Sequence, residues 1–138
     1  MHLFQDRQLH KKKNKVLLVQ LFFDQFSKEH GLLQYLEGKT ERVDTLKCDG
    51  YDMVTSGGVS RFAYELLSTD RFRGLLDKWK SQYDWIFVVS NANPDTVQVV
   101  QLIHLCDHSV ITMSQETWKQ MQPTMREAKR ETTIFVVI

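Results

Sequence analysis

Two short apolar runs, each entered from charged or polar residues, constrain this chain more than any other feature. Val16-Leu17-Leu18-Val19-Gln20-Leu21-Phe22-Phe23 follows Lys11-Lys12-Lys13-Asn14-Lys15, and Trp85-Ile86-Phe87-Val88-Val89 follows Gln82-Tyr83-Asp84. Runs this brief and this apolar read as strands buried on both faces, the condition found inside parallel sheets. Elsewhere the apolar period is that of helices. Phe72, Leu75, Leu76 and Trp79 stand at i, i+3, i+4 and i+7, and Val99, Leu102, Ile103 and Cys106 repeat the spacing.

The remaining punctuation places the other elements. A helix is expected over Ser27 to Leu36 with Gly38 as its stop, and strand pieces over Val43–Leu46 and Tyr51–Thr55 around the Asp49-Gly50 turn. A short helix is expected from Arg61 to Leu67, and a longer one from Ser68 or Thr69 to Gln82. Asp95 or Thr96 is placed to cap the next helix. Ser109–Met113 and Ile134–Ile138 read as strands, and Trp118, Met121, Met125 and Ala128 form a helical face that Pro123 kinks or ends. Strands alternating with helices predict an α/β fold, a three-layer α-β-α sandwich with a mainly parallel sheet of about five strands. Residues 1–14 read as a polar arm or helix, and residues 15–138 as a single α/β domain.

Charge and composition narrow the partners. The chain has 138 residues and a formal net charge of +1, which argues against whole-domain attraction to nucleic acid or to anionic lipid. No apolar run approaches the ~20 residues of a membrane span, and no signal-peptide core follows Met1, so a cytoplasmic protein is expected. Cys48 and Cys106 have neither disulfide-framework nor zinc-type spacing and read as reduced, buried thiols.

In a parallel sheet, ligands sit beyond the carboxyl ends of the strands. Those ends carry Gln20, Phe22 and Asp24 in one case, Ser90 and Asn91 in another, so the chemistry is amide and hydroxyl with one carboxylate. There is no G-x-x-x-x-G-K-[ST] and no G-x-G-x-x-G, and with only 6 Gly few loops are glycine-built. Ser56-Gly57-Gly58-Val59-Ser60 remains as an anion-site candidate, read either as amides holding a phosphate or as a loop in which Ser60 caps a helix. The residues suggest no metal set, catalytic triad or cofactor; His104 and His108 fall across a helix end.

One stretch carries a resemblance. Tyr64-Glu65-Leu66-Leu67-Ser68-Thr69-Asp70-Arg71-Phe72-Arg73-Gly74-Leu75-Leu76, leading to Gln82-Tyr83-Asp84 and the strand Trp85–Val89, resembles the cytoplasmic kinase domain of bacterial capsular and exopolysaccharide tyrosine kinases. These are MinD/ParA-like P-loop ATPases. Lys15–Val19 is placed like their second Walker strand, and Gly31-Leu32-Leu33-Gln34-Tyr35-Leu36-Glu37-Gly38 is similar to a further family segment. Cys106-Asp107, the strand Ser109–Met113 and Thr117 extend the likeness, which runs over about residues 15–138.

The departures fall on the family's catalytic positions. Gln20 and Phe22 stand where it has two aspartates, and Asp24 where it has a basic residue. Ser90, followed by Asn91, stands at the Walker B aspartate, and Ala92 and Asn93 replace prolines. The Walker A loop and strand would fall before residue 1, leaving either a degenerate P-loop order or a flavodoxin-like one. The resemblance therefore implies a non-catalytic, kinase-like pseudo-ATPase, not an enzyme and without cofactor. It would act by protein contacts or self-association in bacterial surface polysaccharide biosynthesis or export, held at the inner membrane face by a membrane-embedded partner. Two alternatives stand beside it: a degenerate receiver-like signalling domain, and an ATPase or tyrosine kinase fragment needing a partner subunit.

Overall fold

Val16–Leu21 forms the first strand, β1, of a computed structural model that describes residues 14–24, 30–94, 96–127 and 129–138. The chain divides into two compact units, Met1–Ser90 and Asn91–Ile138. Of the arm expected over residues 1–14, only Asn14 lies within the described residues.

In the first unit, β1 is followed by α1 (Leu32–Leu36), β2 (Leu46–Lys47), β3 (Asp52–Val54), α2 (Ala63–Leu66), α3 (Asp70–Gln82) and β4 (Trp85–Ser90). The sheet order is β2-β3-β1-β4. β1 runs parallel to both neighbours, with Val19 opposite Val54 on one side and Val88 on the other, while β2 closes the margin antiparallel. The segment β3-β1-β4 has the 2-1-3 arrangement that opens a flavodoxin-like order. The mainly parallel α/β architecture expected from the apolar runs is therefore present.

Burial corrects the expectation of strands buried on both faces. β1 fully buries Leu17, Val19 and Leu21 on one face and half-buries Val16, Leu18 and Gln20 on the other. β4 is more open: Trp85, Phe87 and Val89 keep 56%, 53% and 41% of their surface exposed. The physical reason is position, since β4 pairs with β1 alone among the described strands. Phe22 and Phe23, expected inside the first strand, have left it, and Phe23 is buried beyond its end.

The helices are set by caps and clamps. α3 starts at Thr69, whose hydroxyl oxygen accepts from the Phe72 amide at 3.3 Å, and buries Phe72, Leu75 and Trp79 as the spacing requires. Phe72 and Trp79 meet edge to face, 6.5 Å between centroids. Arg71 lies over the Tyr35 ring at 4.1 Å and donates to the carbonyls of Tyr35 and Thr40, so it ties α3 to the end of α1. Helix α1 is shorter than expected. It begins after Gly31, and residues 27–29 of the expected helix lie outside the described residues.

Gly31 is needed for close approach. The Leu32 amide donates to the Thr55 carbonyl at 2.8 Å and the Leu33 amide to Ser56 at 2.9 Å, which draws α1 onto the loop after β3. A β-carbon at Gly31 would come within 2.6 Å of the Gly57 nitrogen and against the Thr55 carbonyl.

The second unit contains α4 (Val97–Leu105), β5 (Ser109–Met113), α5 (Gln115–Gln120), α6 (Pro123–Glu127), a 3-10 turn (Arg130–Thr132) and β6 (Thr133–Val137). β5 and β6 pair in parallel, Ile111 opposite Phe135. Val99, Leu102 and Ile103 are buried as expected, whereas Cys106 falls just past the helix as its cap. The chain breaks at Met121-Gln122 and restarts at Pro123, where a missing amide hydrogen costs nothing. Ala128 and Asp95, both named from sequence, lie outside the described residues.

Two glycines with opposite surroundings supply a test. Gly31→Ala is expected to destabilise the chain by about 1–3 kcal/mol. Gly74→Ala, which meets nothing within 4 Å in the middle of α3, is expected to stabilise it, by about 1 kcal/mol. Thermal melting of both variants reads this directly, and a Gly31→Ala protein as stable as the parent would contradict the close approach.

Candidate functional site

The carboxyl ends of β1, β3 and β4 lie side by side because the three strands are parallel and Leu21 pairs with Ser90. The sequence-named positions therefore converge in part. The Ser56 hydroxyl donates to the Phe22 carbonyl at 3.0 Å, and the Ser60 amide donates to the Phe23 carbonyl at 3.1 Å, which brings the serine-glycine loop onto the end of β1. Tyr64, at the start of α2, reaches across: its hydroxyl lies 3.0 Å from Ser90 Oγ and its ring meets Phe23 edge to face at 5.7 Å. Tyr64 was not singled out as a site residue. Its only sequence signal was its place at the head of the resembling stretch.

The loop is held from behind by a side chain as well as by α1. Gln34 Oε1 accepts from the Gly31 amide at 2.7 Å, and its Nε2 donates to the Gly57 carbonyl at 2.7 Å. Gly57 and Gly58 adopt φ of +88° and +130°, in the region open to glycine, and Ser56 is buried. The Ser60 hydroxyl accepts from the Phe62 amide at 3.1 Å, so it serves the turn ahead of α2. Gln20 and Phe22 are half-buried, Asp24 is exposed, and Asn91 is exposed at the start of the second unit.

These ends offer the hydroxyls of Ser56, Ser60, Ser90 and Tyr64, the Gln20 amide and the Asp24 carboxylate. Among the described residues no group of three or more His, Cys, Asp or Glu side chains is placed to hold a metal ion. Magnesium takes hard carboxylate oxygens, and Gln20, Phe22 and Ser90 supply none, so this donor set does not fit a magnesium–nucleotide site without further groups.

A second cluster sits at the opposite, amino end of the strands, in an open cleft of about 610 Å³ lined by Lys15, Lys47, Cys48, Tyr51, Asp52 and Tyr83. Asp52 Oδ2 accepts from Lys47 Nζ at 2.8 Å and from the Tyr83 hydroxyl at 2.7 Å. Asp84 accepts from the Lys15 amide at 2.7 Å, and the Lys15 carbonyl takes the Asp84 and Trp85 amides at 2.9 and 3.1 Å. Tyr83-Asp84 thus pins the register of β4 on β1 and ties it to β3. The hydrogen bond from Lys47, then that from Tyr83, holds the Asp52 carboxyl below its ordinary range. Desolvation and the same bond to Asp52 push the Tyr83 phenol up to about 12.

The thiols are half-buried rather than fully buried as expected. Burial, then the adjacent Asp107 carboxylate, raises the Cys106 thiol, against a smaller opposing effect of Lys129.

No protein-family model matches the chain. A 65-residue stretch, 45% of the chain, is 40% identical to tyrosine-protein kinase Etk of Escherichia coli and covers 9% of that protein. The chain is related to a bacterial tyrosine kinase. Among solved structures, the kinase domain of E. coli Etk superposes with a TM-score of 0.70 at 22% identity, over 94% of this chain and 59% of that one. The VpsO kinase domain gives 0.66 at 18% identity, over 91% and 69%, and the BceF tyrosine kinase domain 0.63 at 17%, over 95% and 59%. At these identities the structural likeness shows the fold.

The kinase resemblance is therefore supported by sequence, over 65 residues of the chain, and by fold. The expectation that the chain is not an enzyme is overturned, because the matching relative is a tyrosine-protein kinase and the fold is that of kinase domains. The substitutions at Gln20, Phe22 and Ser90 suggested loss of activity. The chain that carries them spans 59% of the Etk kinase domain on which it superposes.

The Tyr83–Asp52 bond sets an alkaline test. A phenol whose pKa is raised from 10 to about 12 on folding contributes stability fully present below pH 10 and lost as pH rises through 12. Tyr83→Phe is expected to abolish the highest-pH phenol step in an ultraviolet titration and to flatten the fall in melting temperature over that window. Acid unfolding should shift upward in the same variant, since Asp52 loses a bond that favours its charged form.

Proposed function

We propose that this chain is part of a bacterial tyrosine kinase domain whose phosphotransfer site is completed by a partner subunit. The observation that carries this reading is the 40% identity to Etk, in a chain with the kinase-domain fold that spans little more than half of that domain. The composition of the crevice agrees with it. These residues supply a shaped serine-glycine loop, Tyr64 against Ser90, and Asp24, and in this reading a partner supplies the phosphate-binding lysine and the metal carboxylates. Phosphoryl transfer depends on positioning and charge neutralisation, so a site divided between two polypeptides works once both are docked.

By the same relationship we place the complex in bacterial surface polysaccharide biosynthesis or export, held at the inner membrane face by a membrane-embedded partner. No helix among the described residues is long and apolar enough to cross a membrane. The receiver-like alternative gains nothing from the crevice, where Ser90 and Gln20 replace the acidic groups of a phospho-acceptor pocket.

The test is reconstitution. The 138-residue chain is mixed with a polypeptide comprising the part of the E. coli Etk kinase domain that the structural match leaves out, and supplied with magnesium and γ-labelled ATP. Label is expected on tyrosine in the mixture and not with either polypeptide alone. A folded mixture that labels no tyrosine on itself or on a Glu-Tyr copolymer overturns the reading.

A further inference from the structure

We propose that Tyr51 is a phosphorylation site served by a second kinase molecule, and that Lys15 and Lys47 in the amino-end cleft receive its phosphate. This inference rests on the kinase reading and names a substrate residue for that chemistry. The chain has four tyrosines, and three are half-buried and engaged. Tyr35 lies under Arg71 at 4.1 Å, Tyr64 meets Ser90 at 3.0 Å, and Tyr83 donates to Asp52 at 2.7 Å. Tyr51 is the exposed one, at 39%.

Its backbone is also the easiest to present. Tyr51 ends the turn Cys48-Asp49-Gly50-Tyr51, which is closed by the Cys48 amide donating to the Tyr51 carbonyl at 2.9 Å. Gly50 takes φ of +87°, a β-carbon there would meet nothing within 4 Å, and Asp49 is exposed beside it. The strand behind the turn, β2, has two residues, so lifting the turn into an active site breaks few bonds.

The cleft supplies the charge that a phosphate needs. Lys15 and Lys47 line it together with Tyr51. Lys15 holds Asp84 and Trp85 through its backbone, and its ammonium enters no ion pair among the described residues. Asp52, held low first by the bonds from Lys47 and Tyr83, is lowered further by the Lys15 charge, so that ammonium acts within the cleft. Asp52 is the opposing carboxylate there, and Lys47 and the Tyr83 hydroxyl already match it. A phosphoryl group adds about −1.5 to −2 charge and three acceptor oxygens, which Lys15 and the remaining donors of Lys47 can meet.

The fold requires the donor to be another molecule. The crevice lies at the carboxyl ends of the strands and Tyr51 at the amino ends, with the length of β1, about 20 Å, between them. In the step, Tyr51 Oη attacks the γ-phosphorus of a nucleoside triphosphate. The new O–P bond forms as the bond to the β-phosphate oxygen breaks, the nucleoside diphosphate leaves, and the phenol proton passes to solvent.

The test has two arms. The full chain is incubated with the E. coli Etk kinase domain, magnesium and ATP, and phosphate is mapped by mass spectrometry. Tyr51 is expected to be the main site, and Tyr51→Phe, with unchanged melting, should lower incorporation at least fivefold. Phosphate on other tyrosines with Tyr51 unmodified, or no incorporation, overturns the proposal. In the second arm, phosphotyrosine is built into the chain at position 51 and titrated by phosphorus NMR. Its second pKa, ~6 when free, should lie at least half a pH unit lower than in a peptide of residues 47–55 carrying the same group. Lys15→Ala should remove at least half of that difference and Lys15→Arg should keep it. Identical titration in chain and peptide overturns the receiving role of the cleft. Tyr51 labelled by Etk while the reconstituted mixture transfers nothing would refute the kinase-portion reading and leave this site standing. Transfer in that mixture with Tyr51 never labelled would do the reverse.

Discussion

The backbone ladder of β1 is the constraint on which the first unit depends. It pairs in parallel with β3 on one side and with β4 on the other, and Leu17, Val19 and Leu21 beneath it are all but completely buried. It is hydrogen-bonded to β4 along all six residues and to β3 over Leu17–Val19, and one of its faces is covered by apolar contact. Parallel pairing then stacks the three carboxyl ends together. That is why the Ser56–Ser60 loop, the end of β1 and Ser90 meet in one place although more than 30 residues separate Phe22 from Ser56 and Tyr64 lies 26 from Ser90.

The two ends of that sheet do different work. At the amino end, Tyr83, Asp84, Lys15, Lys47 and Asp52 form bonds that set register, and charge is concentrated there. At the carboxyl end the groups are neutral apart from Asp24, and the loop is shaped by glycines and by the Gln34 bridge. The stretch that resembles kinases is largely explained by packing. Thr69 caps α3, Phe72 and Leu75 enter the core, and Arg71 clamps the end of α1, so these residues identify a scaffold before they identify a chemistry.

Much of the fold was legible in order and type. The apolar runs at Val16 and Trp85 became strands, the stripe Phe72–Trp79 became the buried face of a helix, and Pro123 opened a new helix after a break. Boundaries were less legible. The expected strand through Phe23 stopped at Leu21, because Phe22 and Phe23 turn into the loop contacts made by Ser56 and Ser60. The crevice was legible as positions, since strand ends can be found from apolar runs. Tyr64 escaped notice because its partner Ser90 is distant in sequence, and the Asp52–Tyr83 bond escaped for the same reason.

The sequence by itself determined the class of the fold and its kinship, because apolar periodicity and local motifs are properties of neighbouring residues. It could not rank the strands by burial. An apolar run such as Trp85–Val89 looks the same whether a neighbour covers one edge or two, and only the order β2-β3-β1-β4 showed that among the described strands β4 stands at a margin, with Trp85 and Phe87 exposed. Hydrogen-bond partners across a sheet are set by register and topology, which are long-range. Gln20, Phe22 and Ser90 likewise share the carboxyl ends of β1 and β4 only because those two strands pair in parallel, Leu21 opposite Ser90.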